Sequence, residues 1–167
     1  VRKPLRIKDD YLNVLLDVAS ERTRQRGSRV YEIKIGLSLR ELRLLRTIGM
    51  HPGITMGQLV RSVGIEKTLA SKRVNTLVRR GLIAREIGTV DARQIELCLT
   101  DDGERTVLAA EPLGKKLERG FLNCLSAAEV DTLRTLLKKM IDAEAASRDR
   151  FDAWLAEYAA RESGLNR

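Results

Sequence analysis

The sequence predicts a mainly α fold with a small β-hairpin wing, a winged helix-turn-helix head flanked by helical regions. Three observations predict it. Residues 55–66 read as a short helix closed by a glycine turn at Gly64. A basic helix follows from about Glu66 to Arg80 and ends at Gly81. Two short β-like runs, residues 82–87 and 94–99, then flank the tip Gly88-Thr89-Val90-Asp91-Ala92-Arg93. Helix, tight turn, basic helix and basic hairpin is the plan of a winged helix-turn-helix. The expected organisation is an N-terminal dimerisation helix and connector over residues 1–36, the winged head over 37–100, and a C-terminal helical dimerisation region over 101–167.

Taken in order, Asp9 and Asp10 are placed to open the first helix, since acids favour a helix N-terminus. Leu12, Leu15, Leu16 and Ala19 follow i, i+3, i+4, i+7 spacing and form one apolar stripe. Residues 21–29 then turn polar around Gly27-Ser28, before Tyr31, Ile33 and Ile35 restore apolar character. That pattern predicts a frayed or broken helix. Ser38-Leu39-Arg40-Glu41 is a capping box, in which the serine hydroxyl takes one orphan amide and the glutamate reaches back for another. It opens a helix with Leu39, Leu42, Leu45 and Ile48 inward and Arg40, Arg43 and Arg46 on the wet side, ended by His51-Pro52-Gly53. Thr55-Met56-Gly57-Gln58 and Ser126-Ala127-Ala128-Glu129 are two further boxes.

In the basic helix Ala70, Val74 and Leu77 line one face. At 100° per residue Thr68, Lys72, Asn75 and Arg79 fall nearly opposite, with Ser71 and Thr76 beside them. This outer face carries hydroxyls, an amide and cations, and no acid. Such side chains bond base edges and phosphates. A merely solvated face ordinarily mixes both signs of charge. Leu69 lies off the core face, suited to a neighbouring helix or a thymine methyl.

The two following runs alternate like strands: Ile83 and Ile87 share one face, as do Ile95, Leu97 and Leu99. Thr100 caps a helix with Asp101 and Asp102 in its first turn. Val107, Leu108, Leu113, Leu117, Phe121 and Leu122 make that helix apolar on one side, and Pro112 should kink it. In the last helical region Val130, Leu133, Leu136, Leu137, Met140 and Ile141 keep helix spacing. A polar bridge over residues 142–150 separates them from a second stripe, Phe151, Trp154, Leu155 and Tyr158. So short a chain has little core left to cover a stripe this far from its head. A second subunit is the expected cover, together with the helix that carries Leu12, Leu15 and Leu16; intrachain packing is the alternative.

Charge is unevenly placed. Residues 1–100 carry 20 Lys+Arg against 10 Asp+Glu, net +10; residues 101–167 carry 11 against 13, net −2, together the +8 of the chain. A basic half joined to a near-neutral half suggests a polyanion-binding head on a structural body. No apolar run approaches the length of a membrane span, and no signal-like segment follows the basic start, so a cytoplasmic setting is expected. Cys98 and Cys124 form neither a CxxC nor part of a metal quartet and read as packing residues, and His51 beside Pro52 reads as a turn residue. No metal or cofactor is expected. Glycine-rich phosphate loops, HExxH and Gly-x-Ser-x-Gly are absent, so nothing supports an enzyme.

An ordered set of short motifs runs from about Leu37 to Gly103: Pro52-Gly53-Ile54-Thr55, Gly64-Ile65, Ser71-Lys72, Arg80-Gly81-Leu82-Ile83-Ala84-Arg85, Asp91-Ala92-Arg93 and Leu99-Thr100-Asp101-Asp102-Gly103. At these residues the chain resembles the multiple-antibiotic-resistance regulator (MarR) family of bacterial transcription factors. The resemblance implies an obligate homodimer in which helices from both chain ends interlock and two winged heads sit on successive major grooves of a near-palindrome. It implies that Arg93 reaches the minor groove from the wing tip. It also implies that Asp91 pairs with a nearby arginine to stiffen the wing, Arg85 on the opposing strand being one candidate. Ala92 stands where a second basic residue is frequent. Family members often bind small aromatic or anionic effectors between head and dimer body; here the helices around Tyr31, Arg43, Arg46 and Leu113 are the candidate lining. The implied function is a ligand-responsive repressor binding double-stranded DNA as a homodimer. The alternative is a winged-helix protein-interaction module that does not bind DNA specifically, which would have no reason to keep an acid-free outer face on its second helix.

Overall fold

The computed structural model describes residue 8, residues 10–88 and residues 93–164. Among them run α1 (Leu12–Ile35), α2 (Leu39–Met50), β1 (Ile54–Thr55), α3 (Met56–Val63), α4 (Lys67–Arg79), β2 (Ile83–Ile87), β3 (Ile95–Leu99), α5 (Asp101–Phe121) and α6 (Ala127–Gly164). They divide into two compact units, Val1–Gly120 and Phe121–Arg167.

The first unit is built on α2. Ser38 Oγ accepts from Glu41 N while the Glu41 carboxylate accepts from Ser38 N at 2.9 Å, the reciprocal cap predicted for this position. Leu44, Leu45 and Ile48 project from α2 into a core completed by Leu59 and Val63 of α3 and by Val74 and Leu77 of α4. The sheet closes this core with the order β1-β3-β2, antiparallel throughout. Ile83 lies opposite Leu99 in its register, and Ile54 opposite Leu97. The two-residue strand β1 has no counterpart in the sequence reading, because it is too short to carry an alternation signal. Only the base of the hairpin is apolar inside: Ile83 and Leu97 are buried, whereas Ile87 and Ile95 at its far end are exposed.

Several expectations about helices are corrected. The first helix is unbroken through residues 21–29. Its polar stretch is held by pairs one turn apart: Gln25 Nε2 donates to Glu21 at 2.6 Å, Ser28 Oγ donates to Glu32 at 2.9 Å, and Arg24 pairs with Glu21. Asp10 does not open it. The N-cap is Tyr11, no side chain caps the helix, and no acid sits in its first turn; Asp9 lies outside the described residues. Arg46 leaves the predicted wet side of α2, half-buried and paired with Glu111 of α5. Leu108 is 68% exposed rather than part of the inner face of α5, which is formed by Val107, Ala110, Leu113 and Leu117 against Tyr31 and Leu42. Pro112, expected to kink this helix, stands inside it without ending it.

Helix α6, in the second unit, continues through the polar bridge of residues 142–150 as one helix of 38 residues. Its start carries the predicted box, with Ser126 N donating to Glu129 Oε2 at 2.8 Å. Burial does not hold Cys124, which is exposed; Cys98 is half-buried on β3.

Candidate nucleic-acid interface

A tight turn sets the angle between α3 and α4. Gly64 takes the left-handed conformation, φ 63°, that ends α3 and lets the chain reverse within three residues. Helix α4 buries Ala70, Val74 and Leu77, so the opposite side chains must face solvent. Thr68, Lys72, Asn75 and Arg79 are exposed there, flanked by half-buried Ser71 and Thr76. Arg79 is steered along the helix by a 3.3 Å bond to Thr76 Oγ1, whose own hydroxyl donates to the Lys72 carbonyl at 3.1 Å.

Several residues of the interface were not singled out by the sequence. Glu66 is the N-cap of α4: its carboxylate accepts from Thr68 N at 2.9 Å and from Leu69 N at 3.1 Å. Bonds from Thr68 hold this carboxyl below the ordinary glutamate value. Two of the amides that a helix N-terminus could offer to a phosphate, those of Thr68 and Leu69, are therefore already engaged. Glutamate is not among the usual capping residues, so the sequence placed it inside the helix. Arg80 reaches back to the Gly36 carbonyl at 3.0 Å and ties the end of α4 to the end of α1. Arg73 lies half-buried on α4 with a buried Nε.

Arg93 is exposed at the returning side of the wing. Asp91 lies outside the described residues. Arg85, the candidate for its partner, is exposed on β2 and donates from its guanidinium to Oδ1 of Asn75 on α4.

Of the four residues named for an effector, Tyr31, Leu113 and Arg46 lie near one another and Arg43 does not join them. Tyr31 is buried in a cluster with Leu42 and Ala110, and Leu113 packs against that cluster. Burial holds the Tyr31 hydroxyl above its ordinary value, the nearby Glu111 adding to that and Arg46 opposing it. Arg43 is exposed. Arg46, with Glu111, borders a cavity of about 330 Å³ between α2 and α5 whose apolar lining includes Met50, Leu99, Val107 and Leu108.

Of the residues named for dimerisation, Leu12 and Leu15 are exposed on α1 and Leu16 is half-buried. Phe151, Trp154, Leu155 and Tyr158 are all exposed on α6, with Trp154 stacked between the other two rings at 5.6 and 5.7 Å. Among the described residues no helix is long and apolar enough to cross a membrane, and no three His, Cys, Asp or Glu side chains cluster as metal ligands.

A family model described as MarR family matches residues 35–94, the span from the end of α1 to the foot of β3. The transcriptional regulator HosA of Escherichia coli is 31% identical over 99 residues, covering 59% of this chain and 73% of HosA. The chain belongs to the MarR family. Solved MarR-family structures share its fold. A cysteine-to-serine mutant of E. coli MarR, complexed with operator DNA, superimposes with a TM-score of 0.69 at 22% identity, over 77% of this chain and 92% of that one. Bordetella bronchiseptica BpsR, described by its regulation of DNA binding by 6-hydroxynicotinic acid, gives 0.74 at 20% identity, over 83% and 99%. The motif-bearing stretch of this MarR-family chain thus has the fold of a winged helix-turn-helix head, with α4 as its second helix.

Proposed function

We propose that this chain is a sequence-specific, double-stranded DNA-binding repressor of transcription that acts as a homodimer on a pseudo-palindromic operator and responds to a small aromatic or anionic effector. The observation that carries the reading is the exposed, acid-free face of α4 from Thr68 to Arg79, in a family whose relatives include transcriptional regulators and a DNA-bound regulator. Hydroxyls and the Asn75 amide suit base edges; Lys72 and Arg79 suit phosphates. Arg93 extends the contact toward the minor groove. The cavity between α2 and α5 has the size of a small-ligand site. A carboxylate entering it would compete with Glu111 for Arg46, so an anion there has a specific target.

Binding to duplex DNA at two salt concentrations tests the proposal. Asn75→Ala should relax preference at particular base pairs, by about 1–3 kcal/mol per lost specific contact. Arg79→Ala should weaken binding to all sequences alike and reduce the salt slope by about 1. Equal losses on specific and random DNA for Asn75→Ala contradict its assignment as a reader. Absence of salt-dependent duplex binding leaves the protein-interaction reading in its place. For the effector, a panel of small aromatic carboxylates should raise the melting temperature, because a ligand of the folded state stabilises it, and Arg46→Ala should abolish that rise.

A further inference from the structure

We infer that Arg85 is a positioning residue that turns the Asn75 amide so that the recognition helix selects guanine rather than adenine at the base pair Asn75 meets. This rests on the reading of α4 as the DNA-reading helix. The observation behind it is the bond from the Arg85 guanidinium to Asn75 Oδ1. An asparagine amide can ordinarily turn either end outward. Arginine carries only donors, so the atom of Asn75 that meets it must be the oxygen. The outward end is then the amide nitrogen, with two N–H donors.

That orientation decides the base. Reading adenine through both ends of the amide requires it to accept from N6 and donate to N7 together. With Oδ1 engaged by Arg85, only the donating half remains. Guanine presents two acceptors side by side, N7 and O6; adenine N7 and thymine O4 each present one, and cytosine presents a donor. The donors of Asn75 therefore match guanine best.

Both residues stand on firm supports. Asn75 follows Val74, which is buried with Leu77 and Ile83 in one core, and Arg85 is registered opposite Leu97 in the sheet. The orientation is set before DNA arrives, which is what a reading group needs. The sequence offered Arg85 as one candidate partner for Asp91 in stiffening the wing; in the structure it reaches α4, so the strand that leads to the wing also sets what α4 reads.

Selection from a randomised duplex pool tests this with wild type, Asn75→Ala, Arg85→Met and Asn75→Asp, the melting temperature of each variant being measured alongside. Wild type should enrich guanine at a position whose preference falls about tenfold in Asn75→Ala. Arg85→Met, which keeps the stem and removes every donor, should release Oδ1 and move that preference toward adenine. Asn75→Asp keeps an acceptor for Arg85 but has no donor, and should lose guanine. The inference is overturned if Arg85→Met retains guanine, if wild type takes any other base at the Asn75-dependent position, or if Asn75→Ala changes no position. Should Arg85→Met fail to fold, retention of guanine by Asn75→Asp overturns it alone. Enrichment of no sequence by wild type is a separate result: it removes the DNA-reading function and this inference with it.

Discussion

Gly103 shows how one atom fixes the junction between wing and body. A Cβ at this position would overlap the Leu82 carbonyl oxygen and lie 3.1 Å from the Leu82 carbon and 3.4 Å from Leu99 Cβ. Its near neighbour is backbone, which cannot swing aside as a long side chain can. Thr100 completes the joint: its hydroxyl accepts from Gly103 N at 3.1 Å and donates to the Gly81 carbonyl at 2.6 Å. The Leu-Thr-x-x-Gly signature is therefore a packing requirement, with threonine bonding both α5 and the turn before β2, and glycine letting α5 approach the Leu82 backbone in that turn. Within a helix Gly→Ala ordinarily gains up to about 1 kcal/mol. Here the collision should win, and Gly103→Ala should lose about 1–3 kcal/mol, as overpacked sites do. Gly120→Ala, at a position with nothing within 4 Å, should show no such loss. Urea denaturation of both variants checks the contrast; equal midpoints would remove the close-approach argument.

Helix starts marked by a capping box were legible in the sequence, because the box is a local signal that needs no tertiary context. The boxes at Ser38, Thr55 and Ser126 all form. Helix interiors were less legible. The polar stretches at residues 21–29 and 142–150 lack an apolar period, and so they read as interruptions. Helical pairs such as Gln25 with Glu21 in the first stretch, and back-bonding of Ser147 Oγ to the Ala143 carbonyl at 2.7 Å in the second, accompany continuous helix. Pairings across elements, Arg46 with Glu111 and Arg85 with Asn75, depend on packing and leave no trace in local spacing. The outer face of α4 was legible because its period alone separates it from Ala70, Val74 and Leu77. Its cap was not, and Glu66 gives that element a pH dependence. Its folded carboxyl titrates below the ordinary value because the bonds from Thr68 and Leu69 favour the charged form. The cap's contribution is therefore complete above the ordinary glutamate value and is lost as pH falls through the lower folded value. The Thr68 and Leu69 amide resonances should titrate together at that lower pH, and Glu66→Gln should abolish the step. Amides that titrate at the ordinary glutamate value, or not at all, would contradict the cap's role.

At the scale of the molecule the question is what covers the apolar faces of the two end helices. Leu12 and Leu15 on α1 are 60% and 50% exposed, and Phe151, Trp154, Leu155 and Tyr158 on α6 are each 44% exposed or more. Exposed apolar side chains grouped on one face of a helix mark an interaction face. Fully burying one such side chain contributes roughly 1.5–3 kcal/mol. In a two-fold dimer every interface residue is used twice, so a short stripe is enough to hold two chains. The charge distribution agrees with this division of labour: the end beyond residue 100, net −2, carries the stripe, and the net +10 half carries α4. Trp154→Ala combined with Leu155→Ala should therefore separate the proposed dimer. Truncating a buried aromatic costs roughly 3–5 kcal/mol, and two copies per dimer make the dissociation constant rise by at least about ten-thousandfold. Sedimentation at micromolar concentration should show wild type as a dimer and the double variant as a monomer that remains folded, because the core around Leu45 and Leu77 is untouched. The DNA consequence follows from counting phosphates. One head neutralises half as many as two, and the slope of log affinity against log salt scales at about −0.9 per phosphate, so the monomer's slope should fall to about half of the wild-type value. A monomeric wild type, or a double variant that keeps the full salt slope, would show that the two heads do not act as one dimeric unit and that the exposed stripe serves something other than self-association.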